Sequence, residues 1–565
     1  MNLFLIGWRP SGLADPAAAE RALRALLERL PFFDSARIEQ WHAESGRATM
    51  ACVGHPPEQV GAVRYVDSDA DGMALFSGRP FEWTGDCEAD GRAPLDPRFY
   101  RRPALEWAAD LDGRVTAARY EDRGGTLELY SDPLGAYPVF SGERDGTRWI
   151  SNSAELVRTA LGTREIDLSV LACLLAGGWS LSGEPVWQHV RRLPRGVVLS
   201  LRAGRPDTAT ELLPLERIAP LPGAGFEPGR TARLLVAATA ALADWPGRPA
   251  VLQLSGGRDS RLLLAAGLRA NVDVEVVTTG APELPDVRVA RELCEVAGKS
   301  PELRSPDPGG ALHGATSETA RLLGLTSGGA ISLEDAGGYF SVPVSALPLL
   351  FNGQGGEIAR AYYGNGDGLT REDLVSELFR AIARSGEILA ASGRALVERV
   401  LARAVDEAIA SGVARKDVPD VFYLARRMGS WAATGHGCVE YVKGDTICPL
   451  WSRRLLDQQL GLSLRERARG RFPHAALEAL APELARIPYA EPAPHATQPD
   501  GFAAVHEKVR EAVAAQVAHP AWEVLERPYV RELLARDPRA LDAQQRRHVW
   551  RLGTVFMGAA SEPAA

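Results

Sequence analysis

Residues 251 to 268, VLQLSGGRDSRLLLAAGL, carry an apolar run into Ser255, Gly256 and Gly257, continue through Arg258, Asp259 and Ser260, and resume as a leucine-rich helical stretch. In a strand, loop and helix order, the backbone N–H groups of Gly256, Arg258 and Asp259 stand at a helix N-terminus, where unpaired donors and the macrodipole attract an anion. Two glycines let the backbone approach a phosphate closely. Ser255 and Ser260 add hydroxyl donors, and Asp259 offers an acceptor for a Mg2+ held by the same phosphates. The chemistry expected of this loop is retention of a nucleotide's pyrophosphate. The plain alternative is an ordinary turn, because SGG recurs at Ser327 to Gly329 with no strand before it. A Walker A loop is excluded at VAGKS, where Leu293 occupies the place of the first glycine, and GNGDGL at Gly364 reads as a surface turn.

Such a loop needs a strand to launch it and a helix to receive it. AVLQL, then DSRLLLAAGLR, DVEVVTT and DVRVARELCEVAG alternate strand and helix after a helical TARLLVAATAALADW, which predicts a parallel sheet with crossover helices. Upstream the text differs: RATMACVG, GMALFSG, VTAARYED, TLELYSDPLG and GVVLSLRAG are short runs broken by Gly, Asp and Pro, as in an antiparallel β layer. One early helix, DPAAAERALRALLERL, has Asp15 as its expected N-cap and Pro16 at its first position. The Pro- and Gly-rich text between the two patterns predicts a linker. From about residue 370 to 480, LVSELFRAIARSGEILA and RALVERVLARAVDEAIASG predict amphipathic helices.

At 565 residues and 45% hydrophobic residues the chain exceeds a single core, since cores rarely grow beyond about 250 to 300 residues. A net charge of −8 without basic blocks argues against nucleic acid as a partner. The six cysteines form no CxxC pair, so neither a zinc framework nor a disulfide scaffold is expected. With no apolar run of membrane-spanning length, the expectation is a cytoplasmic protein with no membrane partner.

LSGGRDS resembles the PP-loop of the asparagine synthetase family, which uses ATP to adenylate a carboxylate, releases pyrophosphate, and lets an amine attack. TTGAPELPDVRVARELCEVAG resembles the family's second strand and acidic-headed helix, with Thr279 at the adenosine-contacting strand end and Asp286 at the helix start. FNGQGGEIARAYYG resembles its SGEGADE-type loop, and ADLDGRVTAARYEDRGGTLELYSDPLGAYPVF with WISNSAELV resembles its glutaminase-type domain. The resemblance implies an α+β, Ntn-type β-layered glutaminase-like domain over 1–210, a linker over 211–229, and an α/β parallel-sheet PP-loop synthetase domain with added helices over 230–565. It implies ATP and Mg2+ as cofactors. Leu254, Ser255, Gly256, Gly257, Asp259, Ser260, Thr279 and Gly353 are the implied ATP-binding residues, and Asp259 and Glu357 the implied metal ligands.

Departures from the family pattern redirect the functional expectation. A glutaminase of this family attacks with a Cys at position 2, and here residue 2 is Asn, whose carboxamide is no nucleophile. The first domain is therefore expected to be inactive. That loss is shared by a branch resembling β-lactam synthetase, carbapenam synthetase and lasso peptide cyclase, whose amine is already in the substrate. The expected partners are a carboxylate-bearing small molecule or peptide and an amine, with a precursor peptide or pathway partner protein as the macromolecular candidate. Lasso-type macrolactam formation is one specific outcome; an ammonia-using asparagine synthetase and an inactive nucleotide-binding scaffold are the alternatives. Gln354 stands where relatives place Glu, Tyr or His facing the reacting groups. Glutamine can hydrogen-bond but is no general base, and a simple turn residue is the other reading. Relatives also carry a late-loop lysine, and LAPELARIPYAEPAP has none. Lys443 and Arg427 are the candidates to replace it, against the plainer reading of a solvated side chain. Glu440 and Asp445 are either base candidates or members of a salt-bridged loop. His436 and Cys438 supply two metal-type donors without a third.

Overall fold

The computed structural model describes residues 2–56, 63–84, 90–220, 225–245, 250–304, 317–336, 349–384, 386–442, 444–491 and 501–558. Its first strand, Asn2–Trp8 (NLFLIGW), is buried throughout, and the period of two divides its side chains between two cores. Leu3 and Leu5 pack with the helices Ala18–Leu27, Ala154–Leu161 and Leu168–Gly177, whereas Phe4, Ile6 and Trp8 pack with a second sheet. The first sheet is antiparallel, in the order Arg191–Arg192, Phe140–Arg144, Thr147–Ser151, Asn2–Trp8, Ala48–Gly54 and Glu39–His42. The second, also antiparallel, runs Thr208–Glu211, Val197–Arg202, Thr126–Ser131, Leu111–Glu121, Gly72–Thr84 and Val66–Asp69, with Asp90–Arg92 paired to the far end of Gly72–Thr84.

Beyond residue 211 the sheet changes type. Five parallel strands lie in the order Glu302–Arg304, Val274–Thr279, Ala250–Gln253, Leu349–Phe351 and Asp445–Ile447. The chain steps outward from Ala250–Gln253 to Glu302–Arg304, then returns to the opposite side with Leu349–Phe351. The order therefore reverses between Ala250–Gln253 and Leu349–Phe351, and in open parallel sheets a ligand crevice forms at that point, beyond the strands' carboxyl ends. The helices Pro228–Ala240, Arg258–Arg269 and Arg471–Leu480 pack on one another beside this sheet.

A helical layer completes the molecule. Arg371–Ala383 opens with a capping box between Thr370 and Asp373, and buries Leu374 and Leu378 one turn apart. Ala391–Ala410 buries Gly393, Val397, Leu401 and Val405 at four-residue spacing, the single stripe its sequence predicts. The early helix starts later than its sequence suggests. Asp15 forms a turn, its carboxylate accepting from Ala17 N at 3.0 Å, and the helix proper begins at Ala18 with no side-chain cap. Among the described residues no helix is long and apolar enough to cross a membrane.

Candidate active site

The SGGRDS loop leaves the carboxyl end of the central strand Ala250–Gln253 and enters the helix Arg258–Arg269, with Gly257 as N-cap. Leu254 ends the strand: its N–H donates to Val277 O at 2.8 Å, its carbonyl accepts from Thr278 Oγ1 at 3.1 Å, and its side chain is buried in the core. The two serines brace the turn. Ser260 Oγ accepts from Ser255 N at 3.2 Å and lies 3.2 Å from Ser255 Oγ, which accepts from Gly257 N at 3.2 Å. The Gly256 N–H, expected to face an anion, instead donates to Asp286 Oδ1 at 2.9 Å. The donors left for an anion are the first-turn N–H groups of Arg258 and Asp259, which an α-helix cannot satisfy itself. Thr279 closes the neighbouring strand and is exposed at its end.

The second glycine loop follows the adjacent strand Leu349–Phe351 and lies directly on the first. A Cβ on Gly353 would come within 2.9 Å of Asp259 Cβ and 3.3 Å of Ser260 N. Gly355 has φ +103°, a conformation that favours glycine, and packs against the Leu450 backbone. Gln459 Nε2 fastens the loop by donating to Gly355 O at 3.1 Å and Leu450 O at 3.3 Å. This packing brings together the two implied metal ligands. Burial raises the Glu357 carboxyl, and the neighbouring Asp259 charge raises it further. Burial also raises Asp259, partly offset by Arg360, which forms an ion pair with Asp259 Oδ2. Asp259 Oδ1 is buried without a partner. Two adjacent carboxylates, one holding an unused buried oxygen, fit a Mg2+ completed by phosphate oxygens and water. Among the described residues no group of three His, Cys, Asp or Glu forms a metal site by itself.

Gln354 donates its backbone N–H to Asn352 Oδ1 at 2.8 Å, and its side-chain oxygen meets His436 Nε2. His436 is buried, held well below the usual imidazole range by burial and by Arg114, and lies 4.0 Å from Cys448 Sγ. Cys438 points elsewhere, receiving Thr326 Oγ1 at 3.3 Å, so His436 and Cys438 are not paired donors. Arg427 lies on a π-helical run, Tyr423–Ala432, with its guanidinium 3.7 Å from the Trp431 ring and 5.5 Å from Trp179. It acts electrostatically on Tyr423, as does Glu357. Lys443 lies outside the described residues. Glu440 and Asp445 are not free bases: they are buried in ion pairs with Arg114 and Arg79.

The late segment does reach the loop. Ala490 N donates to Gly256 O at 3.1 Å, and buried Arg261 donates to the carbonyls of Gly256, Ile487 and Pro488. Tyr489 lies beneath two guanidinium groups, Arg261 at 4.4 Å and Arg258 at 5.3 Å. The side chains of Arg258 and Arg360, which the structure sets against Tyr489 and Asp259, are not singled out by the sequence. The available signal was an arginine inside each glycine motif, SGGRDS and GGEIAR.

In the antiparallel layers Asn2 is buried in a polar cluster. Its carbonyl accepts from Ser77 Oγ at 2.6 Å and Asn152 Nδ2 at 2.7 Å, and Tyr137 Oη lies 2.8 Å from Ser77 Oγ. These side chains hold the strand end in place, and none of them is a thiol.

No family model matches the chain, and no curated protein sequence matches it. Among solved structures it is similar to the glutamine phosphoribosylpyrophosphate amidotransferase from B. subtilis complexed with ADP and GMP, at 9% identity and a TM-score of 0.25, over 54% of this chain and 81% of that chain. It is also similar to a structure described as the allosteric regulatory enzyme of purine biosynthesis, at 10% identity and a TM-score of 0.24, over 54% of this chain and 80% of that chain. Likeness at these scores carries no argument about activity, so the functional reading rests on the site.

Proposed function

We propose that residues 230–565 form an ATP-dependent amide ligase that adenylates a carboxylate, releasing pyrophosphate, and transfers the acyl group to an amine. The observation that carries this reading is the meeting of SGGRDS and NGQGGE at the reversal point of the parallel sheet, with Asp259 and Glu357 side by side. The first-turn N–H groups of Arg258 and Asp259 would receive phosphate oxygens, and Ser255 and Ser260 hold the turn in the shape that presents them. Thr279 and Gly353 border the crevice where a nucleotide would lie. Bound MgATP would supply the leaving group that a free carboxylate lacks. Gln354, whose side-chain oxygen meets His436, would offer its amide N–H groups as hydrogen-bond donors to the acyl or amine group.

The amine does not come from glutamine in this reading, because Asn2 and its neighbours Ser77, Tyr137 and Asn152 offer no thiol nucleophile. Residues 1–210 then serve as a packing and substrate-docking unit, and the acid and amine are both substrates, of metabolite or peptide origin. A second reading, a nucleotide-binding protein without catalysis, draws on the Arg360 ion pair at Asp259. Acid-dependent ATP–pyrophosphate exchange separates the two. The ligase reading expects exchange with at least one acid of a small-molecule and peptide panel, abolished in Asp259→Ala; MgATP binding with no exchange across the panel would favour the scaffold.

A further inference from the structure

Two buried polar atoms at the crossing of the glycine loops have no partner, and they are of opposite kind. Asp259 Oδ1 is an unused acceptor, and Arg360 Nε is an unused donor. The two residues pair with each other through Asp259 Oδ2 and an Arg360 terminal nitrogen, so neither orphan is satisfied by that ion pair. A buried unpaired acceptor calls for a cation or donor, and a buried unpaired donor calls for an anion. A divalent cation together with a phosphate oxygen would complete both at once.

The other described cations at this crossing are differently engaged. Arg261 is buried and donates to the carbonyls of Gly256, Gly257, Ile487 and Pro488, which makes it a brace for the late segment. Arg258 covers the Tyr489 ring. Arg360 is carried by the short helical turn Gly356–Arg360, one turn beyond Glu357, so the second glycine motif delivers both a metal-type carboxylate and a guanidinium to Asp259. A guanidinium is suited to this role because its planar fork of donors matches phosphate oxygens.

We propose that Arg360 is the phosphate-neutralising cation of this site, leaving Asp259 for the pyrophosphate group when a divalent cation takes the aspartate. The inference rests on the proposed nucleotide-binding function and assigns the role of the lysine absent from the late segment to Arg360 rather than to Lys443 or Arg427. In the ligand-free protein the same side chain competes with the cation for Asp259, so its removal has opposite effects on two equilibria.

The test uses the full chain and two probes, Mn2+ alone, followed by electron paramagnetic resonance, and inorganic pyrophosphate with Mg2+, followed by calorimetry. In Arg360→Met, Mn2+ binds more tightly and pyrophosphate at least about tenfold more weakly, the size of one charge-assisted contact. Arg360→Lys recovers part of the pyrophosphate affinity. A variant that merely damaged the fold would weaken both probes, and that result, or no change in either, overturns the assignment. If wild-type protein binds neither probe, the nucleotide-binding reading itself fails and the assignment with it. If wild type binds both, Asp259→Ala abolishes binding and Arg360→Met matches wild type, only the assignment fails.

Discussion

Gly256 is enclosed by three neighbours: a Cβ there would collide with Ala490, come within 2.9 Å of Asp286 Oδ1, and within 3.1 Å of Val289 Cβ. The residue type is thus set by the late segment and the helix Pro285–Val296 as much as by any phosphate. Gly256→Ala is expected to destabilise the protein by about 1–3 kcal/mol, the usual cost of overpacking, and to loosen the Ala490 contact. Urea unfolding checks the first effect, and proteolysis near residue 490 the second. Asn2 carries a prediction of a different kind: incubated with glutamine, the purified protein releases no glutamate, and release at an enzymatic rate would refute the reading of residues 1–210. At this scale the glycines and serines of SGGRDS and Asp259 were legible from local chemistry, whereas Glu357 entered only through the resemblance of its loop to a known motif. Arg360 and the pairing of His436 with Gln354 were not legible, because they depend on partners 101 and 82 residues away.

The elements that position the site also connect the antiparallel and parallel sheets. Arg114, on the strand Leu111–Glu121, donates to Glu440 Oε1 at 3.2 Å and to Ala136 O at 2.6 Å. Arg79, on Gly72–Thr84, pairs with Asp445 at the start of the last parallel strand. Both pairs are buried, and His55 adds a contact between its Nε2 and Glu440 O at 3.1 Å. Removing one partner of a buried ion pair leaves an uncompensated charge. Arg114→Met and Glu440→Gln are each expected to cost about 3–5 kcal/mol, with the double variant costing clearly less than their sum. A double-mutant cycle from denaturant unfolding measures this, and additive losses would show that the pair is not coupled. The four-residue stripe in Ala391–Ala410 follows the period of its sequence, whereas NLFLIGW shows no alternation of apolar and polar residues, and its two-sided burial appears only in the structure. The π-helical run Tyr423–Ala432 has no such signature, since its wider turns depend on the surrounding packing. The order of the parallel strands was equally hidden, because alternation announces a parallel sheet without saying where it reverses.

At the scale of the whole molecule, burial leaves several histidines uncharged. His55 and His548 are pushed down to about 3, and His436 is also lowered well below its usual range. Unfolding restores each to an ordinary value near 6.5, so between about pH 6.5 and 3 the unfolded chain binds more protons than the folded one. Their contribution to stability is therefore complete above about pH 6.5 and is lost as the pH falls through that window, by about 1.4 kcal/mol per pH unit for each histidine. Buried Asp132, pushed up to about 6, acts the opposite way by taking its proton in the folded state first, so the histidine contribution is read by comparison: between pH 6.5 and 5 the denaturant midpoint should fall more steeply in wild type than in His55→Asn, and equal slopes would contradict this burial. The change from two antiparallel sheets to one parallel sheet near residue 211 places the candidate site on the parallel sheet, with the Asn2 cluster in the antiparallel layers. In the proposed reaction this site divides ATP between its α- and β-phosphates in favour of a carboxylate. The measurement that tests it most directly is product analysis of labelled ATP turned over with an accepted acid and amine. AMP and pyrophosphate are expected in equal amounts, with both lost in Asp259→Ala; ADP and phosphate as the products, or turnover unaffected by that substitution, would rule the adenylating reaction out.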